Sequence, residues 1–551
     1  MRVCHGYTVQ FDDPNLVSCA GLAPVLELAE RAGLQDLVAE HVRIDKPGGG
    51  NARLKVPALV AGMSAGADSI DDMALLRHGA MGRLFTGVRA PSTLGTFLQT
   101  FTFGHVRQLD AVASRLLINL CAQAPLLAGA DQLVYVDIDD TVKQTYGYAK
   151  QGAGRGYTGV KGLNALIGIV STPTSAPVIA AARLRKGSTN SAKGAHRFVV
   201  DTLITARAVG ATGVLVLRAD SAFYQADVIA AAKRQKACFS ITARMLSPVR
   251  MAIDTISGDA WTPIKYTNAS WDDDAQAWIS DAEVAEIEFT AFTSLAKRKQ
   301  ATARLIVRRV PDMNPAHQSE LFTVYRYHTV FTNSPLPMLQ AEKAHRAHAI
   351  VEQVIADLKN GPLAHLPSAS FSANSAWLVC AAMAFNLTRA AGALASIFHA
   401  KATTGTIRAQ LINVPGRLSH SARKLTLHLP TNWPWEAAGT QMAHGARHGP
   451  PAAACPTHPI QPGPTRTPRG DHRPAWPGPT STSSTAQDRR TPLKPPTDRL
   501  TVDPGLMRRH RAGRCRQFRL DSDRPVNGVY GSQSSGCSTC WPRSSSPNMY
   551  N

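Results

Sequence analysis

Residues 133–141 read LVYVDIDDT. An apolar, β-branched run that stops abruptly at polar residues predicts a buried strand over 133–138. Side chains alternate along a strand, so Asp137 and Asp139 share one face. Further strands are expected over 166–171 and 178–184, each after a Gly- or Pro-containing turn. A helix over 192–209, a short apolar strand over 213–217, a helix over 223–235 and a strand over 238–242 follow.

The order β-β-β-α-β-α-β across 131–242 matches a ribonuclease-H-like α/β fold. There, an antiparallel three-strand meander is extended by parallel strands through crossover helices. Asp220 follows the fourth strand directly, in Arg218-Ala219-Asp220-Ser221-Ala222-Phe223. Adjacent first and fourth strands would set it beside Asp137 and Asp139. Convergent carboxylates bind hard divalent cations, and two such ions activate a nucleophile and stabilise a leaving oxygen in phosphodiester cleavage.

Beyond this core, residues 243–335 are strand-rich and predict a β-rich insertion. A long helix is expected over 339–359, followed by an apolar helix over 374–398. At about 100° per residue, His345, His348, Glu352 and Lys359 fall within about 60° of one another on the first of these. Val351, Val354, Ile355 and Leu358 occupy the neighbouring arc and suit the core. Such a face would lay Glu352 on metal and Lys359 on phosphate. His345, His348 and Glu352 also have the spacing of a helical zinc site, but no other His or Cys group completes it. Arg185 and Lys186, after the third strand, suit either a solvated loop or phosphate contact. The run Trp271-Asp272-Asp273-Asp274 reads as a solvated acidic turn.

Residues 1–130 read as helical, with starts at Pro24 and Pro91. Helices are expected near 57–65 and 69–78, and a break at Thr102-Phe103-Gly104 precedes another. A helix–turn–helix that touches DNA and a plain packed bundle both fit this pattern.

The chain has 551 residues, 44% of them hydrophobic, and a formal net charge of +21. Collagen, a small disulfide scaffold and wholesale disorder are excluded, and a polyanionic partner is favoured. Residues 441–551 hold 17 of the 36 prolines, 16 Lys+Arg and 6 Asp+Glu. That segment is expected to be a disordered tail, because it has too little apolar surface to offset chain entropy. The folded part then spans roughly 440 residues: 1–130, 131–242, 243–335 and 336–440. Cys4, Cys19, Cys121, Cys238 and Cys380 lack metal spacing and suit free thiols in a reducing compartment. Cys537 and Cys540 form a C-x-x-C without a second pair. No secretory signal is visible, and the default location is the cytoplasm.

Three motifs together resemble bacterial insertion-sequence DDE transposases. Asp139-Asp140-Thr141 resembles their first-aspartate motif, and residues 218–223 resemble the second. His345-x2-His348-x3-Glu352-x6-Lys359 keeps the spacing of Y-(2)-R-(3)-E-(6)-K. Tyr146-Gly147 and Gly156-Tyr157 make the insertion-sequence group numbered thirteen-eighty the nearest match, over roughly 20–435. The resemblance implies a ribonuclease-H-like catalytic core using Mg2+ or Mn2+, with two ions. It further implies cutting of double-stranded DNA at terminal inverted repeats, strand transfer of the 3′-hydroxyl into target DNA, a dimer at synapsis, and a place on the bacterial nucleoid. By position it makes Asp139, Asp220 and Glu352 the catalytic, metal-binding triad and Lys359 the phosphate contact. Asp137 rivals Asp139 for the first metal position. His345 and His348 replace the usual Tyr and Arg as DNA contacts.

From about Gly439 the chain contains no glutamate. Reading-frame slippage in a GC-rich gene is one explanation. Translating the other frames across that junction should then uncover a family-like ending; none there would remove the idea.

Overall fold

In a computed structural model, the structure describes residues 6–146, 149–156, 158–272, 277–311 and 324–449. Contacts divide the chain into Met1–His458 and Pro459–Asn551, the latter outside the described residues. Also outside them are Gly147, Tyr157, Asp273, Asp274, Cys537 and Cys540, and with them parts of the expected motifs.

Helices α1 (Leu22–Arg31), α2 (Leu34–His41), α3 (Ala52–Ala65), α4 (Pro91–Gln99) and α5 (Phe103–Gln123) build the N-terminal region. Pro91 takes the first helical position, as expected, since its missing N–H costs nothing there. Three expectations shift. The helix near 57–65 begins at Ala52 and runs through Pro57. The one near 69–78 is a 3-10 segment, Asp71–Leu76. The break before α5 falls at Thr100–Thr102 and leaves Gly104 helical. Thr102 caps α5, and the His105 ring nitrogen accepts the Thr102 N–H at 3.2 Å. That reciprocal cap starts a helix without needing a glycine turn.

The central sheet starts with β1 (Leu133–Gln144), β2 (Lys161–Ser171) and β3 (Val178–Lys186) as an antiparallel meander. Helix α6 (Ala195–Ala208) leads to β4 (Val214–Ala219), parallel to β1. Helix α7 (Ala226–Arg234) leads to β5 (Cys238–Thr242), parallel to β4. The expected element order is present, and this mixed α/β sheet is consistent with the ribonuclease-H-like expectation. The first strand extends to Gln144, six residues past its expected end.

The β-rich insertion is part of the same sheet. β6 (Thr262–Asp272), β7 (Ala277–Ala291), β8 (Ala301–Pro311) and β9 (Tyr325–Thr332) form an antiparallel run, and β9 pairs with β5. With the short Gly154–Arg155 strand beside β2, ten strands result among the described residues. The expected helix over 339–359 is two helices, α8 (Met338–Arg346) and α9 (Ile350–Lys359), joined by a 3-10 turn at Ala347–Ala349.

Helix α10 (Phe371–Ala395) is apolar all round and buried on nearly every side. It packs against α1, α3, α4, α5 and β3, so it is a core helix despite a length and hydropathy that would suit a membrane span. The N-terminal helices and the sheet share one hydrophobic core through it. Residues 441–448, expected to be disordered, are instead the second half of a helix, Glu436–His448, with Met442, Gly445 and Ala446 buried. Composition averaged over 111 residues concealed a short Ala- and Gly-containing helix that needs only one apolar stripe.

Asn386 of α10 reads the edge of the sheet. Its carbonyl accepts the Ile179 N–H and its amide donates to the Ile179 carbonyl, both at 2.8 Å. Asn386→Leu should strand two buried backbone groups and cost about 1–3 kcal/mol for each. Urea unfolding would show this as a lower midpoint; an unchanged midpoint would mean that water replaces the amide.

Candidate active site

Side-by-side parallel strands place the acidic residues. Along the β1–β4 ladder, Asp137 lies opposite Arg218 and Ile138 opposite Ala219. β4 then ends, and Asp220 turns the chain by accepting the Ala222 N–H at 3.1 Å. Asp139 on β1 and Asp220 just beyond β4 are therefore neighbours, both half-buried.

Their electrostatics record the proximity. Burial, reinforced by the negative charges of Asp220 and Asp140, pushes the Asp139 carboxyl up to about 7. The Asp140 N–H, bonded to Asp139 at 2.7 Å, and His348 work in the opposite direction. Burial also raises Asp220, with Asp140 adding to it, against the Ala222 and Phe223 amides and His348. Two oxygen donors that hold protons this strongly are poorly compensated in the protein alone. A hard divalent cation suits them chemically.

Asp137 is placed differently from its expected role as a metal ligand. It is fully buried, and Arg218 grips both its oxygens, Nε to Oδ1 at 2.6 Å and Nη2 to Oδ2 at 2.7 Å. His348 donates to Oδ1 at 2.8 Å. Burial raises its pKa, but the Arg218 and His348 charges and hydrogen bonds outweigh this and hold it below the usual carboxylate range. Asp140 points to the opposite face of β1. There it accepts from Asn164 at 2.7 Å, from Ser191 at 3.1 Å and from Arg185.

Several expected DNA contacts are thereby corrected. Arg185 is buried, bonding Asp140, Asn164 and the carbonyls of Ser191 and Lys193. It ties β3 to β1 and is not open to phosphate. Lys186 beside it is exposed. His345 is buried between the Ser240 and Thr242 hydroxyls, each at 3.0 Å. Burial, with the charges of His348 and Arg218, pulls its pKa down to about 3, so it is neutral and cannot serve as a phosphate cation. His348 is committed to Asp137. His345 and His348 do share a face, their rings stacked at 6.4 Å, but His345 on α8 is buried toward β5 while Glu352 on α9 is exposed, so the expected DNA-facing row is divided at the 3-10 turn Ala347–Ala349.

Val351, Val354, Ile355 and Leu358 bury α9 against β1 and β2, as the periodicity predicts. Lys359, half-buried at its end, has its pKa lowered by burial and by Lys143, while Asp139 raises it. Lys359 thus lies within electrostatic reach of both Asp139 and Lys143. Lys143 escaped sequence reasoning although the signal was available: residues 137, 139, 141 and 143 alternate onto one strand face. Glu352 is exposed on the first turn of α9, with no hydrogen-bond or ion-pair partner among the described residues. Among those residues, no three His, Cys, Asp or Glu side chains converge closely enough to hold a metal ion. The carboxylates that fit a cation are thus the Asp139–Asp220 pair, with Glu352 standing apart.

The Asp139 proton gives a signed pH test. An unfolded Asp ionises near 3.9, so folding retains a proton between about pH 4 and 7 and loses stability as pH rises through that window. In chelator, Asp139→Asn should melt above the wild type at pH 8, and the gap should close at pH 4. An equal gap at both pH values would refute burial and like charge as the origin of the raised carboxyl.

A family model described as transposase DDE domain group 1 matches residues 5–447. No curated protein matches the chain. A match over most of the sequence, beginning before α1 and ending within the helix Glu436–His448, leads to one conclusion: this chain belongs to the DDE-domain transposase family, group 1.

Proposed function

We propose that the protein is a DDE transposase with a ribonuclease-H-like catalytic core, nearest to the insertion-sequence group numbered thirteen-eighty. It would cut DNA at inverted-repeat ends and transfer the 3′-hydroxyl into target DNA, as a dimer when two ends are joined. One observation carries this reading: Asp139 and Asp220 stand together where parallel strands β1 and β4 part, with both carboxyls raised.

In this reading Asp139 and Asp220 hold Mg2+ or Mn2+, and Glu352 on α9 supplies the third carboxylate. The cations would activate the attacking oxygen and neutralise charge on the leaving one. Lys359 places positive charge beside Asp139, where a phosphodiester would lie, and Lys143 adds charge next to Lys359. Lys186 is an exposed candidate for a more distant phosphate.

The purified chain with Mg2+ or Mn2+ should nick DNA carrying its cognate inverted repeat. Asp220→Asn should abolish nicking and retain binding; equal cleavage by this variant would defeat the assignment. Lys359→Ala should weaken DNA binding and reduce the slope of log K against log salt by about one. An unchanged slope would remove Lys359 from the phosphate path.

The exposed Glu352, without a hydrogen-bond or ion-pair partner among the described residues, favours a second reading, a catalytically decayed protein that still binds DNA ends. Measuring end-binding and end-cleavage in parallel separates the two. Cutting without joining would indicate a structure-specific nuclease of the same fold.

A further inference from the structure

We infer that Arg218 and Asp137 are positioning residues: a buried, non-ligating clamp that sets the Asp139–Asp220 pair against the helical segment carrying Glu352. This inference rests on the proposed function, in which those three carboxylates hold the metal.

Four contacts converge on Arg218, which is 2% exposed. Its guanidinium forks onto both oxygens of Asp137, two residues from Asp139. Its own place is two residues before Asp220. A third nitrogen donates to the Ala344 carbonyl on α8 at 2.5 Å. The plane stacks over the Tyr135 ring at 3.9 Å. His348, in the turn between α8 and α9, closes the circuit through Asp137. One side chain thus fixes the spacing of β1 to β4 and docks onto them the segment that leads into α9.

The geometry also explains why arginine is required. A lysine offers a compact ammonium that cannot span both Asp137 oxygens and a carbonyl on another element, nor stack flat on Tyr135. The pair faces no solvent, so it gains nothing as a surface ion pair. Buried ion pairs can often be replaced by well-packed apolar residues with little loss of stability, so the contribution assigned to this one is geometric.

That replaceability provides the test. Arg218→Lys and the double variant Asp137→Leu/Arg218→Met would be compared with the wild type and Asp139→Asn. Measurements would be thermal melting, Mn2+ isotherms, and kcat and KM for nicking of inverted-repeat DNA. The double variant should melt near the wild type while kcat and Mn2+ affinity each fall about 10–100-fold, the range for residues that orient metal ligands. KM for DNA should hold. Arg218→Lys should lose kcat in the same direction even where it melts lower. A folded double variant with wild-type kcat and Mn2+ affinity would overturn the proposal. Asp137→Asn, if it abolished Mn2+ binding as completely as Asp139→Asn, would make Asp137 a ligand and overturn it too. Absence of cleavage by the wild type would strike the functional reading alone, and the Mn2+ isotherms would still decide this one.

Discussion

A carboxylate with no exposure to water must be neutralised by a partner or lose its charge. Asp137 meets that constraint through Arg218, and the arrangement of the acidic face follows from it. β1 and β4 are held in register up to the point where they diverge, so that Asp139 and Asp220 stand side by side just beyond the pair. The charge at Asp137 is fully compensated and its pKa depressed; the charges at Asp139 and Asp220 are not, and theirs are raised. One strand therefore carries two acids, two residues apart, with opposite electrostatic fates. Their shared face is legible in sequence, whereas the fate of each is decided by a cation on the neighbouring strand.

The half of the fold that bears the carboxylates was well marked in the sequence. Unbroken apolar runs announced the strands and their order, and helical periodicity announced the buried stripe of α9. What escaped was everything that depends on which basic residue is buried. Arg185, Arg218 and Lys186 look alike in a sequence, yet the first two are internal braces and only Lys186 is exposed. The helical wheel grouped His345 with Glu352 but could not tell what each would meet: His345 is buried against Ser240 and Thr242, and Glu352 is exposed. Lys143 was missed because strand alternation was applied only to acids.

The pairing of the insertion with the core was equally hidden. β9 joins β5 across more than eighty residues of chain, and nothing local in Tyr325–Thr332 announces that partner. The N-terminal region follows the same logic. Its amphipathic helices could be recognised singly, but α10, on which α1, α3, α4 and α5 pack, lies some 250 residues downstream in sequence.

The helix Glu436–His448 gives the fold a dependence on the order of synthesis. It lies against α1, among the first elements made, and against α10. Arg447 pairs with Glu27 at 2.9 Å, and Arg31 caps the helix by donating to the Ala446 carbonyl at 2.7 Å. Until the ribosome has delivered those residues, α1 presents an uncovered apolar flank. The two ends of the matched region thus close on each other, and a nascent chain cannot complete its core before translation has passed His448.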